Sequence, residues 1–267
     1  MCEEEPLTGG NVSASVVRVG DTVRKPAVES TASVAAFLAH LRDAGFPHAP
    51  SSAGIDERGR HVLEYVPATM SDRLPPMTVP ELRRLGGLIR LLHDTAETFV
   101  PSDEARWDVV IPPDRVELIC HHDLAPWNLV RDGDRWVFID WDGAGPGSRL
   151  WDLAYAAHGF VPLHPGGDPD IDAPRLRALA DGYGLDAEQR AALPVLIVDH
   201  VRGMHDLLVE GARTGRQPWA RLHAEGHARH WGPAAEYVRR HLDVWRQALI
   251  MSPDAAGHRT MTPESGA

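Results

Sequence analysis

The chain has 267 residues, 43% hydrophobic and 24% charged, which is enough for a substantial core as one large domain or two lobes. A formal charge of −11 argues against a nucleic-acid surface, which needs clustered Lys and Arg, and leans toward a small cationic partner. No apolar run approaches the roughly 20 residues that span a bilayer, and the first fifteen residues carry Glu3, Glu4 and Glu5 rather than the apolar stretch of a secretion signal.

Only two cysteines occur, Cys2 and Cys120. They do not make a disulfide framework, so a cytoplasmic setting is expected.

In chain order, residues 1–8 read as a loose start. Val12 to Val19 alternates as a strand, Gly20-Asp21 is a turn, and Thr22 to Lys25 is the partner strand, stopped by Pro26. Ser33 to Gly45 is a helix with Val34, Phe37, Leu38 and Leu41 on one face and Gly45 as its C-cap. His61 to Val66 is a further strand, ended by Pro67. Val79 to Thr95 is a helix with a leucine stripe, and Leu118–Cys120 and Trp136–Ile139 are short strands flanking a loop. Pro174–Tyr183, Ala187–Gly211 and Trp219–Leu249 read as helices, and 252–267 as a disordered tail. The expected organisation is α+β in two lobes: a small β-rich lobe over 1–66 and a larger helical lobe over 67–251, with a ligand cleft between them.

The chemistry concentrates in Leu118-Ile-Cys-His-His-Asp-Leu-Ala-Pro-Trp-Asn-Leu-Val130, followed after the Asp132-Gly133 turn by Trp136-Val-Phe-Ile-Asp-Trp-Asp-Gly-Ala-Gly145. An apolar strand delivers His121 and Asp123 to a loop. Asn128 leads into the next strand, and the hairpin returns to present Asp140. Three oxygen-bearing side chains thus converge. Phosphoryl transfer asks for such a set: one carboxylate for the acceptor hydroxyl proton, and a carboxylate plus an amide for Mg2+, which prefers oxygen ligands at about 2.0–2.1 Å.

The spacing His-x-Asp-x-x-x-x-Asn, followed by an apolar strand and Asp, resembles the protein-kinase-like superfamily. More narrowly, HHDLAPWNLV and FIDWDGAGPGSRLWDLA resemble the aminoglycoside phosphotransferase / choline kinase family of small-molecule kinases. The likeness is strong over 118–155 and weaker over 7–66. It implies a protein-kinase-like fold with Asp123 as the catalytic base, Asn128 and Asp140 as metal ligands, His121 bracing the loop and Asp152 tying a later segment to it. His122 stands where relatives usually carry Gly.

The same resemblance implies a nucleotide side, with Mg2+ and ATP or GTP as donor. The chain lacks G-x-G-x-x-G. Instead Leu7-Thr-Gly-Gly-Asn-Val-Ser-Ala-Ser15 offers backbone N–H groups and the hydroxyls of Ser13 and Ser15 to phosphates. The phosphate-pairing cation is Arg24 or Lys25, since strand alternation turns only one of them to the cleft; Arg24 is favoured because related sequences carry a basic residue directly after the apolar one. The usual glutamate partner is missing from the following helix, with Glu29 before it and Asp43 near its end. Leu63-Glu-Tyr-Val66 resembles a kinase hinge, where the Glu64 carbonyl and the Val66 N–H would pair with adenine.

On the acceptor side, Asp199, Asp206 and Glu210 share one face of a helix, either to bind cationic groups or as a solvated surface. Asp142, two residues after Asp140, is the better placed acid. The expected activity is phosphorylation of a hydroxylated, cationic small molecule such as an antibiotic, by a monomer or homodimer. A metabolite kinase, or an immunity protein that binds without turnover, are the alternatives.

Overall fold

The computed structural model describes residues 4–7 and 16–250. The expected strand start at 12–15 and the expected tail at 252–267 lie outside the described residues, as do Ser13 and Ser15.

The N-terminal part is an antiparallel sheet of β1 (Glu5–Pro6), β2 (Val17–Val19), β3 (Thr22–Pro26), β4 (Ser52–Ile55) and β5 (Arg60–Glu64), ordered β1-β2-β3-β5-β4. The β2–β3 turn falls at Gly20, which takes φ 59°, a left-handed conformation that glycine adopts without a Cβ penalty. α1 (Thr31–Asp43) follows β3 and buries Val34, Phe37, Leu38 and Leu41. β1 and β4 were not expected. β1 has two residues, and β4 is a sheet-edge Ser-Ala-Gly-Ile with an irregular register and Gly54 at φ 81°. Neither carries a period-two apolar pattern.

The C-terminal part begins with β6 (Thr69–Met70) and α2 (Val79–Ala96). Thr78 caps α2, its side chain accepting from the Glu81 N–H while Glu81 reaches back. β7 (Leu118–Cys120), β8 (Leu129–Asp132), β9 (Arg135–Phe138) and β10 (Gly145–Gly147) frame the predicted chemistry. Helices α3 (Arg149–Phe160), α4 (Pro169–Tyr183), α5 (Ala187–Thr214), α6 (Trp219–Ala224), α7 (Ala228–Arg240) and α8 (Leu242–Ile250) complete it. The segment expected as one helix over 219–249 is three, interrupted around Gly226, at φ 95°, and at His241.

α3 escaped expectation because it is buried on every side: ten of its residues are buried, including Asp152, Tyr155 and His158. A helix apolar all round has no stripe to read.

One continuous core runs from Phe37 and Leu41 through Leu82, Leu85 and Ile89 to Phe138, Trp141, Tyr183 and Trp245. α2 and α4 cross at Gly86 and Gly182. A Cβ on Gly86 would collide with the Leu179 carbonyl oxygen, and one on Gly182 with that of Arg83. Two helix backbones therefore approach directly, and this anchors α2 under the site.

Candidate active site

β7 pairs with β10 rather than with β9, in the register Cys120↔Gly145 and Leu118↔Gly147. β8 pairs with β9, Leu129↔Phe138 at the open end and Asp132↔Arg135 at the turn. The segment from 121 to 144 therefore leaves and rejoins one ladder, with the β8–β9 hairpin inserted between. The Ile139 N–H donates to the Asn128 carbonyl at 2.8 Å. Asn128 and Asp140 thus flank the hairpin mouth. This is where the apolar strand pattern places them.

His121 is fully buried, and burial holds its pKa below the ordinary value. Its Nδ1 accepts from the Asp123 N–H at 3.2 Å, so its Nε2 donates to the Ile139 carbonyl at 3.1 Å. It ties the Asp123 loop to the residue before Asp140, and its ring packs at a tilt on Trp141 with centroids 4.4 Å apart. This is a bracing contact.

Asp123 is half-buried at the end of this brace. The Asn128 amide nitrogen donates to its Oδ2 at 2.7 Å and to its main-chain oxygen at 3.0 Å. Burial, then the Asp140 charge, push its carboxyl up to about 7, against the opposing influence of Tyr155 and of the Asn128 hydrogen bond. With the Asn128 nitrogen so engaged, the amide oxygen is the end left to face a metal. Asp140 has φ 59° and ψ 67°, and His122 has φ 63°. Both lie in the left-handed region sparsely used outside glycine. At His122 a glycine would take this conformation without a Cβ penalty. The His122 Nε2 bonds the Gly145 and Pro146 carbonyls at 3.2 and 3.1 Å.

Lys25 and Arg24 face opposite ways, and the assignment favoured from sequence is reversed. Arg24 points away, its guanidinium pairing with Asp56 at 3.1 Å. Lys25 is buried, and its Nζ lies 3.1 Å from Asp140 Oδ1 and 2.7 Å from Asp142 Oδ1. The deciding factor is tertiary: Lys25 sits opposite His61 on β5 and faces inward. Burial lowers the Lys25 pKa, but Asp140 and Asp142 outweigh it, and the ammonium is held above its usual range. α1 supplies no carboxylate: Glu29 and Asp43 are exposed, while Phe37 meets Trp141 edge-on at 5.9 Å. The lysine's acidic partners, Asp140 and Asp142, come from the segment after β9 instead.

A buried hydrogen-bond network behind the site holds the loop in place. Asp152 is fully buried and accepts from the N–H groups of His121 and His122 at 3.1 and 2.8 Å, and pairs with His93 Nε2 at 3.1 Å. His93 Nδ1 meets the Tyr183 hydroxyl at 2.7 Å. Burial alone would raise the Asp152 carboxyl, yet its hydrogen bond to His93 and the histidines around it hold it well below the usual carboxylate range. His93, Cys120 and Asp152 have metal-like spacing. However, the Asp152 oxygens are already taken by the loop and His93, and Cys120 Sγ donates to the Ser148 carbonyl at 3.4 Å. The cluster is a brace.

The expected hinge residues lie where β5 ends. Val66 is buried in a small cluster with Val130 and Val137. The Glu64 carboxylate accepts from the Ser51 N–H at 3.2 Å and from Arg135 at 3.0 Å.

The acidic face of α5 is not joined to the site. Asp199 and Asp206 are exposed, with Asp206 beside His205 at 3.1 Å, and Glu210 is engaged by Arg213 at 2.7 Å. The inward face of α5 carries Ile197, His200, Val201 and Leu208. Among the expected acceptor acids, only Asp142 stands with Asp140. Trp127, between Asp123 and Asn128, is 39% exposed. Tyr155 on α3 is buried near the site, and burial, then the Asp123 charge, push its phenol pKa well up. Sequence reading missed it because α3 has no stripe; its place one turn after Asp152 was the available signal.

A β-sheet N-terminal part, a helical C-terminal part and a catalytic-loop arrangement at their junction define a protein-kinase-like fold of the small-molecule kinase type. Residues 103–195 match the model of a phosphotransferase enzyme family. The chain is 32% identical over 204 residues to the trifolitoxin immunity protein of Rhizobium leguminosarum bv. trifolii, an alignment covering 71% of this chain and 77% of that relative. The chain belongs to the phosphotransferase enzyme family. In fold it is similar to a choline/ethanolamine kinase family protein from Mesorhizobium loti, with TM-score 0.61 at 16% identity over 92% of both chains. It is also similar to an amicoumacin kinase in complex with AMP-PNP, Ca2+ and Ami, with TM-score 0.63 at 13% identity over 90% of this chain and 88% of that one.

Proposed function

We propose that the chain is an ATP- or GTP-dependent O-phosphotransferase. Its acceptor is a hydroxyl of a small natural product, and its role is protection against that compound. The observation that carries this reading is the set Asp123, Asn128, Asp140 and Lys25, with Lys25 Nζ 3.1 Å from Asp140 Oδ1. The relative's name as an immunity protein supports the protective role.

Asp123 takes the acceptor hydroxyl proton as the acceptor oxygen bonds to the γ-phosphorus and the bond to the β-phosphate oxygen breaks. Its raised pKa suits a base working near neutral pH. The amide oxygen of Asn128 and the carboxylate of Asp140 are hard oxygen donors of the kind Mg2+ takes; Mg2+ there would neutralise charge developing on the phosphates. Lys25 pairs with the donor phosphates, as does the corresponding lysine of kinases. Asp142 faces the same space, so an acceptor bearing a cation suits the cleft. The proposed lobes are 1–66 and 67–251, with the adenine edge on Glu64 and Val66 and the phosphates also on Ser13 and Ser15. We propose a cytoplasmic monomer or homodimer.

The test is phosphate incorporation from labelled ATP and GTP into aminoglycosides, cyclic peptides, nucleoside antibiotics, choline and homoserine, with the modified oxygen located by NMR. Turnover that survives Asp123→Ala at the wild-type rate rejects the mechanism. The immunity relative also supports a second reading, sequestration without turnover. Tight acceptor binding in a calorimeter without any Mg2+–nucleotide binding favours it.

A further inference from the structure

The turn between α3 and α4 gathers oxygen atoms that take no part in the site above. α3 ends at Phe160 and α4 starts at Pro169. Between them the chain folds back on itself. The His164 N–H donates to the Pro162 carbonyl at 2.9 Å, and the Gly167 N–H to the His164 carbonyl at 3.1 Å. Gly166 takes φ 97° to make the bend. Each of the two carbonyls has a second lone pair.

Asp172, near the start of α4, closes the same space. It is 4% exposed, and its Oδ2 has no hydrogen-bond partner among the described residues. It does not cap the helix. That is done by Asp168, whose Oδ1 accepts from the Asp170 N–H at 3.0 Å. Nor does Arg175, three residues on, pair with it: the Arg175 guanidinium donates to the Met77 carbonyl at 2.8 Å and to the Phe160 carbonyl at 3.5 Å. A buried carboxylate oxygen without a donor or a counter-charge is costly.

Gly167 shows where Oδ2 is aimed. A Cβ placed on Gly167 would lie 2.8 Å from Asp172 Oδ2 and 3.2 Å from each of the His164 and Pro162 carbonyl oxygens. Three oxygens from both sides of the turn thus converge on space that only a glycine leaves open. One of them is the buried carboxylate oxygen without a partner.

The donor set selects the ligand. One carboxylate and two peptide carbonyls are hard oxygen donors. Ca2+ takes such oxygens at about 2.3–2.6 Å in flexible geometry, whereas Mg2+ demands a near-ideal octahedron at about 2.0–2.1 Å. The exposed carboxylates of Asp168 and Asp170 add negative charge at the mouth. We propose that Asp172 Oδ2 and the carbonyls of Pro162 and His164 form a Ca2+ site, completed by water. It would pin the end of α3 to the start of α4. α3 carries Asp152, the anchor of the catalytic loop, so the ion would steady that helix from its far end. The site is separate from Asn128 and Asp140 and does not depend on the phosphotransferase reading.

The test is calorimetric titration of the chelator-treated full chain with Ca2+, in an Asp140→Asn background that removes the carboxylate proposed for the catalytic metal. The expected result is one Ca2+ per chain with a Kd of about 10⁻⁴–10⁻³ M, the range of weak calcium modules. Asp172→Asn keeps the shape of the side chain and removes its charge; on that background it should weaken this binding about tenfold or more. Gly167→Ala, which puts a methyl where the three oxygens converge, should do the same. Thermal melting in chelator reports folding of each variant. Added Ca2+ should raise the melting midpoint of the parent and leave that of Asp172→Asn unchanged. Equal Ca2+ binding by the parent and Asp172→Asn overturns the inference, as does no binding at all, the result for a pocket that holds only water. A midpoint lowered by Asp172→Asn to the same extent with and without Ca2+ marks a merely structural carboxylate and overturns it too.

Discussion

Lys25 Nζ lies 2.7 Å from Asp142 Oδ1 and 3.1 Å from Asp140 Oδ1. Both carboxylates sit in the segment just after β9, while α1 contributes none. The lysine from the β-sheet part and the acids from the helical part are thus one electrostatic unit. A buried ammonium needs such partners, because desolvation without them costs several kcal/mol.

The two neighbouring cations on β3 should separate cleanly on substitution. Lys25→Met is expected to lower kcat/KM by about 10²- to 10³-fold, the range for losing a preorganised charge contact in transfer chemistry. Arg24→Met is expected to leave kcat/KM within a few-fold, since the Arg24 guanidinium pairs with Asp56 and Thr22 rather than with the Asp140 and Asp142 carboxylates. Steady-state kinetics on both variants check this.

Asp152 is expected to be a stability residue that also sets activity. Asp152→Ala strips the partner from the buried His121 N–H, the half-buried His122 N–H and the buried His93. Removal of one member of such a network costs about 3–5 kcal/mol, read as a lower urea midpoint. Activity in the folded fraction should fall as well, because the backbone at His121 and His122 loses its anchor.

How much of this could be read from the chain depends on whether contacts are local. Asp123, Asn128 and Asp140 lie on one loop and one hairpin, so strand alternation and turn chemistry place them together. Lys25 was ambiguous because alternation says only that neighbours oppose each other; the register against His61 on β5 chooses the side. Tyr155 was hidden in a helix without a polar face. The acids of α5 stayed open between a binding face and a solvated surface for the converse reason. Their common face is real, but the opposite face of α5, with Ile197, His200 and Val201, is the one that packs inward.

The α2–α4 crossing is expected to tolerate nothing larger than glycine. Gly182→Ala places a methyl on the Arg83 carbonyl, and overpacking of this kind costs about 1–3 kcal/mol. Gly87→Ala, where an added Cβ meets only the Gly182 oxygen at 3.6 Å, is the matched control and should be neutral or slightly stabilising. Differential scanning calorimetry of the two distinguishes them.

Acid should destabilise the protein over a defined window. Burial lowers His61 to about 4, and His158 and His200 to about 3, from an ordinary 6.5. Between those values the unfolded chain binds protons that the folded chain does not, so stability is present above about pH 6.5 and is lost as pH falls through the window. Urea midpoints measured from pH 7 to pH 4 should decline, and His200→Gln should flatten the decline. A slope unchanged by that substitution contradicts the assignment.

The central claim is that Asp123, Asn128, Asp140 and Lys25 form a site for moving a phosphoryl group. The most direct test is the initial rate of nucleoside diphosphate release with Mg2+, with and without an accepted substrate, in wild-type protein and in Asp123→Asn and Asp140→Asn. Acceptor-stimulated release is expected in the wild type, with loss of about 10²-fold or more in each variant. Equal rates in all three proteins would contradict it.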